Sequence, residues 1–383
     1  MKTNQNVGLA IAAFFALAVA SSALAQKTPG SYYTGPYELD PNWPQNPCGD
    51  GLQIGSVGGI FAETPDRVFV FARGCLPKMT DRSWGRPISI VPSRNASGYD
   101  LSRDDPERHP KWTHVLYVLD RNGKLVENWD QHNGMFVRPH RVKINPYDPE
   151  RHVWVVDDGA HQVTKFSHDG KEVVMQLGEF RKPGNDETHF GRPTDIAWLP
   201  DGTFFVSDGY TNTRVVKFDK DGKFLMTWGE KGNNGTETRP YYMNTVHGIA
   251  IDDNRKVYVI DRSNNRIQIF DENGKYIEDW SGIKRPYYIY MSADQHLWVS
   301  DAVTQKFLKF DLNTAQVLYD WGSFGAFPGG NWGTHQFSVD SENNFYTADV
   351  HVGRVQKYVP KPGANPAHLV GKPRQLSGSD PTQ

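Results

Sequence analysis

Three histidines stand at one position of a repeated segment. "RPHRVKIN" holds His140, "TVHGIAID" holds His247 and "GTHQFSVD" holds His335. In the other three copies the same position carries Gly58, Thr194 and Tyr287, so histidine fills every second place in a series of six. Each copy alternates apolar and polar residues, the mark of a strand. If six such strands line a common axis, alternate members are related by about 120° and the imidazoles converge as a tripod. Three neutral nitrogen donors with an open fourth position suit a catalytic zinc or a similar divalent ion. Taken singly, any of the three reads as a structural histidine near a channel mouth; the alternation favours a metal. His161, His168 and His351 fall outside the register and read as surface or packing residues.

A second position follows the next strand. Asp208, Asp261, Asp301 and Asp349 each lie fourteen residues after the first position; the first copy has Ala72 there, and the second has Asp157 after a three-residue insertion. These aspartates suit the bonding of turn amides. The residue after them is Arg73, Asp158, Arg262, Ala302 or Val350, and the third copy, "SDGY", has an extra loop residue that presents Tyr210 in the equivalent space. Arginine binds carboxylates bidentately and stays charged. A tyrosine beside a metal and cations can act as a base. The alternatives are a turn ion pair for Arg262 and loop packing for Tyr210. Arg214, Arg266 and Arg354 share a later repeat position and read as structural.

The elements that must position these side chains are short strands broken by turn pairs such as Asp201-Gly202, Asp221-Gly222 and Asn273-Gly274. Six self-similar units, mostly of about 40 to 55 residues and each of about four antiparallel strands, predict an all-β, six-bladed β-propeller; a pair of β-sandwiches would lack the self-similarity. The expected division is an N-terminal arm over 26–50, the propeller over 51–361 with an insert loop over 76–113, and a flexible C-terminal tail over 362–383. The segment "DGLQIG" ahead of Gly58 is the candidate to complete the sixth blade and close the ring.

Lys2, the apolar run Val7 to Ala20 and Ala23-Leu24-Ala25 read as a secretory signal peptide over 1–25, with a membrane anchor as the alternative. The expected location is secreted or periplasmic. No other run is apolar enough to cross a bilayer, so stable membrane insertion is not expected. With 42 basic against 44 acidic residues and no basic block, nucleic acid is not an expected partner. Cys48 and Cys75 are the only cysteines; in an oxidising compartment they could form one disulfide, or they are two unrelated buried thiols.

"VYVIDRSNNRIQIFD" is similar to the NHL repeat. "PTDIAWLPDGTFFVSDGYTNTRVVKFDKDGKFLMTWG" and "VWVVDDGAHQVTKF" resemble the third and second blades of the peptidyl-α-hydroxyglycine α-amidating lyase domain. The resemblance runs from about Gly58 to Lys361. It implies zinc held by His140, His247 and His335, a catalytic Tyr210, and Arg262 and Arg73 as active-site arginines. The family cleaves peptidyl-α-hydroxyglycine to an amidated peptide and glyoxylate. It also implies a structural calcium in the channel, with a metal-binding Asp after the third histidine. This sequence has Gln336 there, and lacks cysteines for the family's disulfides in blades three and four. No segment resembles the copper monooxygenase domain that makes the family's substrate, so another α-hydroxy compound stays open.

The leading expectation is a metal-dependent lyase acting on a small-molecule or peptide α-hydroxy substrate. The other classes are a non-catalytic secreted propeller that binds a ligand or protein, and a propeller hydrolase of lactonase type. The latter usually holds calcium with carboxylates and Asn, whereas this channel is led by histidine. Fold alone does not choose among them.

Overall fold

The computed structural model describes residues 33–77 and 112–377. The expected signal peptide and nearly all of the insert loop lie outside the described residues, as do residues 378–383.

Six four-stranded antiparallel sheets form the blades of a β-propeller. Their innermost strands are Val57–Thr64, Pro139–Ile144, Pro193–Trp198, Val246–Ile251, Pro286–Met291 and Thr334–Val339. Second strands such as Val153–Asp157 and Val257–Asp261 are buried throughout, whereas outer strands such as Phe224–Trp228 alternate between partly buried and exposed positions. That gradient is why second strands such as VWVVD and VYVID read as apolar runs and the outer ones as period-two patterns.

Six hydrophobic clusters hold the ring, one at each blade-to-blade contact. Phe71 and Leu116 of blade one meet Val142 and Val155 of blade two. The series continues through Trp154 with Trp198, Phe205 with Val257, Tyr258 with Ile289, and Phe307 with Phe337. Tyr346 and Val355 of blade six against Val57 and Val70 of blade one complete it.

Every innermost strand is irregular at the same place. The register with its partner slips between Val57 and Gly59, Pro139 and Arg141, Pro193 and Asp195, Val246 and Ile249, Pro286 and Tyr288, and Thr334 and Gln336. A bulge re-aims a side chain out of the regular pleat. Here it falls on the histidine position of each blade.

Ring closure differs from the sequence expectation. The outer strand of blade six is Tyr37–Leu39, paired with Tyr358–Pro360. "DGLQIG" instead contributes Leu52–Ile54 to a two-stranded sheet with Cys75–Pro77. Tyr37 wins the place because its ring is fully buried against Trp321 and Phe345. The C-terminal segment expected as a flexible tail also packs, as far as it is described. Val370 is buried and its amide donates to the Tyr37 hydroxyl, His368 stacks on Tyr319, and Lys372 accepts from Ala293. Cys48 and Cys75 form a disulfide with Cα atoms 5.8 Å apart, tying the arm to blade one.

An ion cluster joins the outer faces of blades one and two. Glu63, its side chain 1% exposed, accepts from Arg67 at 2.7 Å, Arg151 at 3.1 Å and His168 at 2.8 Å. Burial pushes its carboxyl up, but the His168 hydrogen bond and the Arg67 charge outweigh that and hold it below the usual range. A depressed carboxylate stabilises the fold above its unfolded pKa of about 4.3, and that contribution is lost as pH falls through the folded value. Glu63→Gln is therefore expected to destabilise the protein by about 2 kcal/mol at neutral pH. The gap from wild type should close in urea titrations run below about pH 4; a gap that stays constant with pH would refute the charge argument.

Candidate metal centre and its basic rim

The bulges turn three imidazoles onto the channel. His140, His247 and His335 are buried, and each offers a nitrogen within 4.8 Å of the others. One has a defined tautomer: Nδ1 of His247 donates to the Tyr287 carbonyl at 2.7 Å, which leaves its Nε2 with the lone pair free to ligate. Nδ1 of His335 lies between the Gly58 carbonyl at 2.8 Å and Nη1 of Arg141 at 2.6 Å. Nδ1 of His140 has no partner among the described residues, while its Nε2 faces the Tyr210 hydroxyl at 3.2 Å.

All three imidazoles are held well below their ordinary pKa. Burial is the main cause, followed by the other imidazoles and Arg141 around His140, by Arg262 beside His247 and by Arg141 beside His335. They are neutral at physiological pH, as ligands must be. A divalent ion fits this donor set.

Two glycines make the arrangement possible. A Cβ on Gly58 would lie 2.1 Å from the Pro139 carbonyl oxygen, so blade one must present glycine where blade two crosses. Gly209 holds the second position in blade three, and a Cβ there would lie 1.5 Å from the Val246 oxygen. The backbone passes against blade four and delivers the next residue, Tyr210, over the histidines. Its hydroxyl is 2.8 Å from Nε2 of His247 and 3.4 Å from Nη1 of Arg262.

Arg262 lies between two phenol rings, its guanidinium carbon 5.1 Å from the centroid of Tyr210 and 5.3 Å from that of Tyr287. Arg73 is 3% exposed, and its Nε and Nη2 have no partner among the described residues. Burial, reinforced by Arg138, lowers it to about 10. Nε of Arg262 is likewise buried and unpartnered. Buried donors without a partner are costly, and both guanidiniums carry them.

The structure adds residues that the two repeat positions do not reveal. Arg138 and Arg192 lie 5.2 and 4.4 Å from the Tyr210 ring centroid, and both pair with the buried Asp158 at 2.6 Å. Burial pushes the Asp158 carboxyl up to about 6 against the pull of Arg138 and Arg73. The repeated "RP" two residues ahead of His140, Thr194 and Tyr287 was the available signal for Arg138 and Arg192. Thr194 and Tyr287 do not join the donor set. The Thr194 hydroxyl is spent on the Ser207 and Val246 carbonyls, and Tyr287 packs its ring 5.4 Å from His247. Arg214, Arg266 and Arg354 bind Asp208, Asp261 and Asp349 at 2.9, 2.9 and 2.8 Å.

Calcium does not fit below the histidines. The channel there is filled by the Arg141 guanidinium, with Nη2 donating to the Tyr287 carbonyl at 2.8 Å and Nη1 to that of His140 at 3.1 Å. Gln336, in the place where the resemblance implies Asp, spends its amide on Ile60 and Val142.

The chain folds as a six-bladed propeller, and residues 243–270 match the NHL repeat family. It resembles the peptidyl-α-hydroxyglycine α-amidating lyases. It is 37% identical over 158 residues to a probable peptidyl-alpha-hydroxyglycine alpha-amidating lyase of Caenorhabditis elegans, a match covering 41% of this chain and 43% of that one. It is 31% identical over 269 residues to the peptidylglycine alpha-amidating monooxygenase of Rattus norvegicus, covering 67% of this chain and 25% of that one. The matched region thus spans less than half of either relative. A crystal structure of a Bacteroides thetaiotaomicron protein of unknown function aligns over 84% of this chain and 73% of that one, with a TM-score of 0.51 and 12% identity, a likeness of fold alone.

Proposed function

We propose that this protein is an exported metal-dependent lyase that cleaves α-hydroxyglycine-type carbinolamides to an amide and glyoxylate. The observation that carries the reading is the meeting, at one channel mouth, of the Tyr210 hydroxyl with two imidazoles of a three-histidine donor set and with Arg262.

His140, His247 and His335 would hold the ion, which supplies Lewis-acid polarisation of the substrate hydroxyl when bound. Arg73 and Arg262 receive the carboxylate on their open donors. Tyr210 takes the hydroxyl proton as general base. The hydroxyl-bearing carbon becomes the aldehyde of glyoxylate as its bond to nitrogen breaks. The electron pair goes to nitrogen, which takes the proton that Tyr210 removed from the hydroxyl and leaves as the amide. Arg138 and Arg192, anchored by Asp158, hold the phenol ring in place by cation–π contact. Export belongs to the same reading, since a disulfide between Cys48 and Cys75 suits an oxidising compartment.

The direct test is glyoxylate release from N-acyl-α-hydroxyglycines by metal-loaded protein; none from any such compound would overturn the reading. Within that assay Arg262→Ala is expected to raise KM on the order of ten- to a hundredfold, the loss of one charge-assisted contact. A methyl ester substrate should feel the change much less. Arg266→Ala and Arg214→Ala are the controls and are expected to lower stability rather than rate. Equal effects of Arg262→Ala on acid and ester would remove the carboxylate-binding role.

A further inference from the structure

One guanidinium reaches all six blades. Arg141 follows His140, is fully buried, and enters the channel beneath the histidines because the bulge lets two consecutive side chains face inward. Its Nη2 donates to the carbonyls of Tyr287 at 2.8 Å and His247 at 3.4 Å, in blades five and four. Its Nη1 donates to His140 at 3.1 Å and Gly58 at 3.4 Å, in blades two and one, and lies 2.6 Å from Nδ1 of His335 in blade six. Nε is 3.8 Å from a carboxylate oxygen of Asp195 in blade three, whose other oxygen is 2.6 Å from Lys143.

Backbone carbonyls converging on one point with a carboxylate beside them are the ligand set of a hard divalent cation. Their oxygens point their negative ends at each other and need a positive charge between them. Arginine supplies one that does not titrate away. A calcium ion at this point would have to share it with the guanidinium, at a repulsion that water does not screen in so buried a site.

We infer that Arg141 is a tethered structural cation, which takes the place of calcium at the hub and lets the propeller close its ring without a bound ion there. Calcium binding stabilises a fold in proportion to the free ion and is lost to a chelator. A side chain cannot dissociate, so stability here is independent of calcium. The inference concerns the fold and stands apart from the lyase reading.

The test uses the full mature chain with the histidine site first loaded with zinc. Calcium content after gel filtration and the thermal midpoint are measured with and without calcium at about 1 mM, the range in which extracellular calcium modules bind. Wild type is expected to retain no calcium and to show no rise in Tm. One equivalent of calcium alongside full zinc, or a calcium-dependent rise in Tm, would overturn the inference. Arg141→Met keeps the length and removes the charge, and is expected to lower Tm by roughly 10 °C; a variant as stable as wild type would overturn it too. Should that variant fail to fold, Arg141→Lys, which keeps a positive charge, is expected to fold with a smaller loss of Tm. Failure of the lysine variant as well would show that charge is not what the hub requires.

Discussion

Tyr210→Phe is expected to cut turnover by about 10² to 10⁴, the contribution of a positioned general base, while metal content and Tm stay at wild-type values. The ring remains, and with it the cation–π contacts from Arg138, Arg192 and Arg262. What goes is an oxygen placed within hydrogen-bond distance of both His140 and His247. The loss should appear in kcat and in kcat/KM alike, because the proton is taken only on the way to the transition state. A variant that turns over normally would leave Tyr210 a packing residue and require another base. Arg262→Ala differs in kind: it should act mainly on KM.

His247→Ala should have the largest effect of all. The donor set has three members, each from a different blade, and two imidazoles with one open side do not hold a divalent ion at ordinary free concentrations. Metal content is expected to fall from about one equivalent to nearly none, with glyoxylate release falling to background. The fold should survive, since the six inter-blade clusters exclude these residues. Treating wild type with a chelator should give the same loss and, unlike the substitution, recover on adding the metal back. Full metal content in the variant, measured by elemental analysis, would show that the histidines are not the ligands.

How much of this is legible in the sequence depends on which physical signal each feature leaves. The histidine ring leaves a strong one, because strand period and repeat period together fix where each side chain points. Tyr210 is visible only because "SDGY" is longer by one residue than its sister loops. Why the extra residue lifts rather than bulges outward depends on the contact of Gly209 with Val246, which joins different blades and leaves no local trace. Arg141 follows the channel-facing His140, so alternation would turn it away from the axis; only the bulge and the carbonyls around its guanidinium show that it enters the channel and is sealed there. The ring closure is misread for a related reason. Tyr37–Leu39 is a three-residue strand too short for any periodicity, and its partner lies at the other end of the chain. Leu52–Ile54 has the better strand pattern and pairs locally.

The recurring bulge gives this fold a particular kind of adaptability. One residue per repeat is released from the hydrogen-bonded ladder and handed to the axis, at Gly58, His140, Thr194, His247, Tyr287 and His335. Gly58 is held to glycine by the Pro139 carbonyl, but the five side chains at the other positions stand outside the inter-blade clusters, so their chemistry is largely uncoupled from the packing that keeps the ring closed. Such a propeller can therefore exchange ligands, phenols or plain hydroxyls at those five places around the axis while keeping its scaffold.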